Sequence, residues 1–254
     1  MKKQKICIIG GGLTGLVTAI SLSKFDFEID LITENLIKNS QSPRTIAISQ
    51  ENFNYLKKLN IFESLKKEIW ICSKMKLYTE SENEKFSEIF EMDKENKSEN
   101  IFYMLENKNI IKLMLNKIKK NKSICLKKNK KISSIYTSGV LKNVKFKNNV
   151  SKYNLVIISG GYENFLSKNF LNGKVIKNSY KEFAIAGIIE HSRVNNIIAR
   201  QIFLDSSIFA MLPISKTKTS IVWSIQNFMK NKSYHFFKEK IKKYASNYLK
   251  NIKF

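Results

Sequence analysis

A chain of 254 residues that is 43% hydrophobic can bury the cores of one or two domains, and its three cysteines and two histidines provide neither a disulfide framework nor a Cys/His metal site. The formal charge of +24 comes from lysines scattered among asparagines, with arginine only at Arg44, Arg193 and Arg200. That pattern fits a solvated surface, with weak attraction to an acidic bilayer as the next reading. It does not fit a nucleic-acid reader, which favours the bidentate arginine fork.

The charged start, Met1 to Lys5, precedes an uncharged stretch from Ile6 to Ser23, the layout of a signal peptide. Three glycines inside that stretch weaken an apolar helix, and no small-x-small site follows before Lys24. No other uncharged stretch is long enough to span a bilayer, so a soluble, cytoplasmic protein is expected. Cys7, Cys72 and Cys125 read as small core residues of a reducing compartment.

Lys5–Ile9 is a short apolar run of the kind that forms a buried parallel strand. Gly10-Gly11-Gly12-Leu13-Thr14-Gly15 follows and fits G-x-G-x-x-G. The spacing predicts a helix over Leu13–Lys24, with Leu16, Ala19 and Ile20 inward, then a strand over Glu28–Thr33 ending at Glu34. Gly10 would allow the tight turn, Gly12 close approach of a pyrophosphate, and Gly15 tight packing of helix on sheet. The first amides of the helix, at Leu13 and Thr14, would face the phosphates. Glu34 would accept hydrogen bonds from the adenosine ribose. This pattern predicts dinucleotide binding without separating FAD from NAD.

Further on, Met75, Leu77 and Thr79 alternate as in a strand, and Glu80–Asn100 reads as a charged, exposed stretch. A helix is expected over Asn109–Lys119, with Ile110, Ile111, Met114, Leu115 and Ile118 at helical spacing. Short strands follow near Ile132–Tyr136, Val140–Phe146 and Leu155–Ser159, with a turn at Asn148-Asn149. Four more are expected at Phe183–Glu190, Ile197–Phe203, Phe209–Leu212 and Ser220–Ile225. A final amphipathic helix covers Ser233–Lys250, with Phe237, Ile241, Tyr244 and Tyr248 in one stripe.

Ser42-Pro43-Arg44-Thr45-Ile46-Ala47-Ile48-Ser49 resembles the R-x-x-A-[IL]-S stretch of the UbiH/UbiF/COQ6-like FAD-dependent aromatic-ring hydroxylases, which share the para-hydroxybenzoate hydroxylase fold. Tyr103 to Lys108 resembles that family's G-Y-x-x-E-N-R stretch, which opens a helix. Asn195 to Pro213 resembles its N-x-x-A-x-x-x-F…A-x-L-P segment, and Val222-Trp223-Ser224 its V-W-S strand.

The resemblance implies an α/β fold: a Rossmann-like FAD-binding domain (residues 1–72 and 98–170) and a discontinuous substrate-binding domain with a mainly antiparallel sheet (73–97 and 171–254). It implies FAD as cofactor, held by Gly10, Gly12, Leu13, Thr14, Gly15, Glu34, Arg44 and Lys108, with NAD(P)H as reductant. It also implies an aromatic, lipid-tailed substrate from ubiquinone biosynthesis, other proteins of that pathway as partners, and peripheral contact with the inner membrane. Tyr180, Trp223 and Tyr234 could line a pocket, but ordinary packing is the first expectation for each, and no catalytic residue stands out.

Three departures accompany the likeness. Lys108 replaces an arginine. The family's G-A-D-G-x-x-S-x-x-R fingerprint maps onto Ile158–Ser167, with Gly160 for its aspartate and Asn164 for its serine. The G-D-A-A-H segment is absent before Phe254, so a truncated or degenerate flavoprotein relative without turnover, serving as a nucleotide-binding or interaction subunit, is the alternative expectation, and the second domain is expected to be incomplete.

Overall fold

The computed structural model describes residues 3–34, 44–62, 68–81, 85–93, 100–147, 149–161 and 178–254. The chain forms two compact units. The first comprises Met1–Ser42, Lys58–Ser64 and Asn107–Lys177; the second comprises Pro43–Lys57, Leu65–Glu106 and Asn178–Phe254. The segments 43–57, 65–72 and 98–106, grouped with the FAD-binding domain by sequence, fall in the second unit.

The first unit is built on a parallel sheet of β1 (Gln4–Ile9), β2 (Phe27–Thr33), β8 (Ile124–Lys128) and β12 (Leu155–Ile158), in the order β12-β1-β2-β8. Both faces are covered, which is why β1 reads as a continuous apolar run rather than an alternating one. Cys7, Ile9 and Ile32 pack against Ile132, Val144 and Tyr153 of an antiparallel three-stranded sheet. That sheet comprises β9 (Ile132–Ser138), β10 (Leu141–Phe146) and β11 (Val150–Tyr153). On the other side lie α1 (Leu13–Leu22) and, packed on it, α3 (Asn107–Lys120). Helix α1 buries Leu16, Ala19 and Ile20 as expected, but ends before Lys24. Ser21 and Ser23 turn their hydroxyls back onto the carbonyls of Val17 and Ile20, a competition that disfavours further helix.

A buried carboxylate lies between these layers, paired with partly exposed lysines. Asp30 of β2, 4% exposed, accepts hydrogen bonds from Tyr153 OH (2.7 Å) and Lys127 Nζ (2.8 Å), and Lys5 Nζ lies 3.3 Å away. Burial alone would raise the Asp30 pKa. The bonds from Lys127 and Tyr153 and the charges of Lys127 and Lys5 outweigh it and hold the carboxyl below its ordinary value.

The second unit holds a six-stranded sheet in the order β13-β16-β15-β14-β5-β6. Its strands are β5 (Lys74–Glu80), β6 (Phe86–Asp93), β13 (Glu182–Glu190), β14 (Ile198–Leu204), β15 (Ser207–Pro213) and β16 (Lys218–Gln226). All neighbours are antiparallel except β14 and β5. The expected strands at 183–190, 197–203, 209–212 and 220–225 are all present, as β13–β16. The stretch expected only to be charged and exposed contains β6, whose Glu88, Glu91 and Asp93 pair with Lys74 and Lys76 of β5.

One face of this sheet packs against α4 (Tyr234–Ala245), capped by Ser233 Oγ, which accepts from Phe236 N at 3.1 Å. Trp223 is the hub: its ring meets Phe209, Phe237 and Tyr244 edge-on at centroid distances of 6.1, 5.9 and 5.6 Å. Such pairs add about 0.5–1.5 kcal/mol each beyond the area they bury. The predicted stripe of this helix is therefore core. Tyr248 lies past the helix end, with the Arg200 guanidinium 4.7 Å from its ring centre.

A smaller antiparallel sheet joins β3 (Thr45–Ser49), β7 (Phe102–Glu106) and β4 (Trp70–Cys72), followed on β3 by α2 (Gln50–Lys58). The motif residue Tyr103 is locked here: it stacks on Phe53 at 3.7 Å and donates to Gln50 Oε1 at 2.8 Å.

Candidate functional site

The chain leaves β1 and runs outward through β2 to β8, then returns to the other side of β1 with β12. The strand order therefore reverses at β1. In open parallel sheets the crevice at such a reversal, beyond the carboxyl ends of the strands, is where ligands bind. The glycine motif lies at that place.

The three motif glycines have different surroundings. Gly10 has φ +128°, and a Cβ there would fall 2.5 Å from Ser159 O and 2.8 Å from Gly160 N. A Cβ on Gly15 would overlap Gly10 O and come 2.7 Å from Ser159 Oγ. These two glycines let the turn, the helix and the end of β12 close on one another. Backbone bonds tie the corner together: Gly10 N donates to Ile32 O (2.9 Å) and Ser159 N to Ile9 O (2.7 Å). Gly12 differs. Among the described residues, a Cβ there would meet nothing within 4 Å.

Gly12 is also the N-cap of α1, with extended backbone, so the cap residue brings no side chain to the first amides. The first turn carries no acidic residue. Leu13 is half-buried and Thr14 exposed. The result is an open, uncapped helix N-terminus with positive character, suited to an anion. Glu34 follows β2 at the same edge and is exposed; Ile9 pairs with Ile32, two residues before it. A diphosphate at Gly12 and a ribose towards Glu34 fit this donor and acceptor set.

Lys108 also belongs to the first unit, exposed in the first turn of α3. Beside it, Asn107 Oδ1 is buried with no hydrogen-bond partner among the described residues. Arg44 belongs to the second unit, exposed and immediately before β3. Of the second fingerprint, Ile158–Gly161 are described and 162–167 lie outside the described residues; Asn148, of the predicted turn, is likewise outside. Ser159 is the packing neighbour of Gly10 and Gly15 that the sequence does not single out, although it ends an apolar run and falls within the second fingerprint.

The proposed pocket aromatics separate. Trp223 is 2% exposed and belongs to the core, whereas Tyr180 and Tyr234 are 86% and 72% exposed. The face of the large sheet opposite α4 carries small residues in register: Ala184 beside Ser224, and Ala186 beside Val222 beside Ala210. Cys7 and Cys72 are buried, and burial pushes each thiol up to about 12. Cys125 is exposed, against expectation, because its strand β8 is an edge of the parallel sheet.

The chain is similar to solved structures of the same fold. It superposes on PqsL of Pseudomonas aeruginosa in complex with 2-aminobenzoylacetate with a TM-score of 0.77 at 11% identity, over 90% of this chain and 62% of that chain. It matches p-nitrophenol 4-monooxygenase PnpA of Pseudomonas putida with a TM-score of 0.75 at 13% identity, over 100% of this chain and 67% of that one. For CtdE in complex with FAD the TM-score is 0.66 at 9% identity, over 91% and 61%. The chain thus spans less than two thirds of the length of PqsL and of CtdE. No protein-family model matches it, and no curated protein does. A parallel sheet with a glycine-rich turn, joined to a large, mainly antiparallel sheet, gives this chain the α/β fold that p-nitrophenol 4-monooxygenase and FAD-bound CtdE share.

Proposed function

We propose that this chain carries the FAD-binding and substrate-binding parts of an FAD-dependent monooxygenase that hydroxylates an aromatic ring. The observation that carries the reading is the empty space over Gly12, at the reversal of strand order, beside two glycines that are packed shut. Bound FAD would supply the redox chemistry, by which two electrons from NAD(P)H would reduce dioxygen, one oxygen atom going to the ring and the other to water.

The chain's own residues bind and orient. Gly10 and Gly15 close the corner that positions the cofactor, the backbone at Gly12, Leu13 and Thr14 receives the pyrophosphate, and Glu34 accepts from the ribose hydroxyls. Arg44 and Lys108 add positive charge for the cofactor's phosphates. The small-residue face at Ala184, Ala186, Ala210 and Val222 is a flat floor for a planar ring. In the domain assignment, residues 1–72 and 98–170 hold FAD, while 73–97 and 171–254 hold substrate.

The structure of PqsL contains 2-aminobenzoylacetate, in keeping with a small aromatic substrate here. The finer reading, from sequence resemblance, is a polyprenylated phenol of ubiquinone biosynthesis, handled by a cytoplasmic protein that touches the inner membrane and other proteins of that pathway. The charge of +24 suits contact with anionic lipid. Among the described residues no helix is long and apolar enough to cross a membrane.

The test is the purified protein's visible spectrum and its oxygen uptake. Bound flavin, with NADH- or NADPH-driven oxygen uptake stimulated by a phenol, supports the enzyme. Gly160, exposed where the related fingerprint has aspartate, favours the second reading, a flavoprotein relative without turnover. That reading, a nucleotide-binding or interaction subunit, predicts no phenol-dependent uptake. A folded, colourless protein with no affinity for FAD contradicts the enzyme.

A further inference from the structure

The second unit contains a groove that the flavin reading does not use. It lies between the edge strand β13 and helix α4 and has a volume of about 420 Å³. Phe183, Ile185 and Ile189 of β13 face Phe237 and Ile241 of α4 across it. The size is in the range of small-molecule sites.

Gly187 opens the groove. It pairs with Ile221 in the sheet, so it lies on the same face as Ile185 and Ile189, towards α4. A Cβ on Gly187 would meet nothing within 4 Å, and its φ is not positive. Neither a close neighbour nor a special backbone conformation calls for glycine here. A glycine inside a strand weakens it, and one recurring reason for accepting that cost is the close approach of a ligand.

The mouth is basic. Lys232 and Lys238 line it, and no aspartate or glutamate does so among the described residues. Lys238 Nζ is held 4.7 Å from the ring centre of Tyr234 and 5.2 Å from that of Phe254, at the groove's rim. An apolar slot with a cationic mouth matches a molecule with an apolar chain and an anionic head.

We propose that this groove binds a long-chain carboxylate, with its hydrocarbon chain along Gly187 and its head group at Lys232 and Lys238. Every residue in the argument belongs to the second unit, so the site does not depend on the flavin reading.

The test is fluorescence titration of the full chain with cis-parinaric acid, whose polyene brightens when it leaves water. Saturable one-to-one binding is expected. Gly187→Ile fills empty space in a strand with a β-branched side chain, so thermal stability should hold or rise. The same change should weaken parinarate at least about tenfold. Lys232→Glu with Lys238→Glu should weaken the acid strongly and its methyl ester little. The proposal fails if the wild-type chain shows no saturable binding, or if Gly187→Ile leaves the affinity intact. It also fails if charge reversal affects acid and ester alike. A dimer in sedimentation that Gly187→Ile breaks, with no parinarate bound, would assign the groove to a second copy and overturn the proposal.

Discussion

Alanine at each of the three motif glycines should separate packing from binding. At Gly10 the new methyl would sit 2.5 Å from the backbone oxygen of Ser159, just after β12, and φ is +128°, where a side chain is strained whatever the space. The strain costs about 1–3 kcal/mol and the overlap about another 1–3. Gly10→Ala should therefore lose about 2–6 kcal/mol. At Gly15 the overlap is with Gly10 O and Ser159 Oγ; the hydroxyl can rotate away but the carbonyl cannot. A loss of about 2–4 kcal/mol is expected there. At Gly12 the methyl enters open space. Alanine is a poorer N-cap than glycine by about 0.5–1 kcal/mol, whereas the stiffer unfolded chain returns about 0.4–1. The net change should lie within about 0.5 kcal/mol. Urea unfolding of the three variants measures the ranking. If Gly12→Ala unfolds as early as Gly15→Ala, the corner over Gly12 is not open and the reasoning is refuted.

Three further outcomes are expected. Asp30→Asn should cost about 1–3 kcal/mol at pH 7, because Tyr153 loses a charged acceptor and two lysines lose their counter-ion. Since the folded pKa of Asp30 is depressed, its contribution is complete above the unfolded value near ~3.9 and fades as pH falls through the folded value. Urea midpoints of wild type and variant should converge as pH falls through the depressed folded value, and a gap that widens on acidification would contradict the assignment. A thiol reagent should label one cysteine, Cys125, rapidly in the native protein and all three after denaturation; fast labelling of Cys7 would contradict the parallel sheet, and fast labelling of Cys72 the small sheet of β3, β7 and β4. Ser233→Ala should lower stability by about 0.5–2 kcal/mol through loss of the α4 cap, seen as an earlier thermal midpoint.

The legible parts of this fold are those governed by local rules. A strand buried on both faces, a glycine turn and a helix with apolar residues at 16, 19 and 20 could all be read from Gln4 to Thr33. Strands β13 to β16 could be read from their mostly alternating pattern. Strand β6 could not, because Glu88, Glu91 and Asp93 suggest a solvated loop until Lys74 and Lys76 are set opposite them. The irregular register at Leu77/Tyr78 also breaks the period of two that sequence patterns rely on. Strand β8 is lysine-rich, and what places it beside β2 is parallel pairing across nearly a hundred residues of chain. The same separation hides the bond between Asp30 and Lys127, for which |i−j| is 97.

Within the candidate site, the sequence motif named all three glycines but gave each its role by analogy. Their separation into two that are packed and one that is open rests on Ser159, which stands 150 residues from Ile9 and is brought to it only by the β1–β12 pairing. Arg44 and Lys108 were assigned through a motif's neighbours, and the fold places them in different units.

The decisive measurement is calorimetric titration of FAD into the wild-type chain and into Gly12→Ala, after circular dichroism has shown both to be folded. The account predicts one FAD per wild-type chain and, for the variant, affinity reduced by about two orders of magnitude or more, the equivalent of about 2.7 kcal/mol of lost contact with the diphosphate. Equal affinity of the two proteins for FAD would mean that the dinucleotide, if it binds at all, does not bind at this turn.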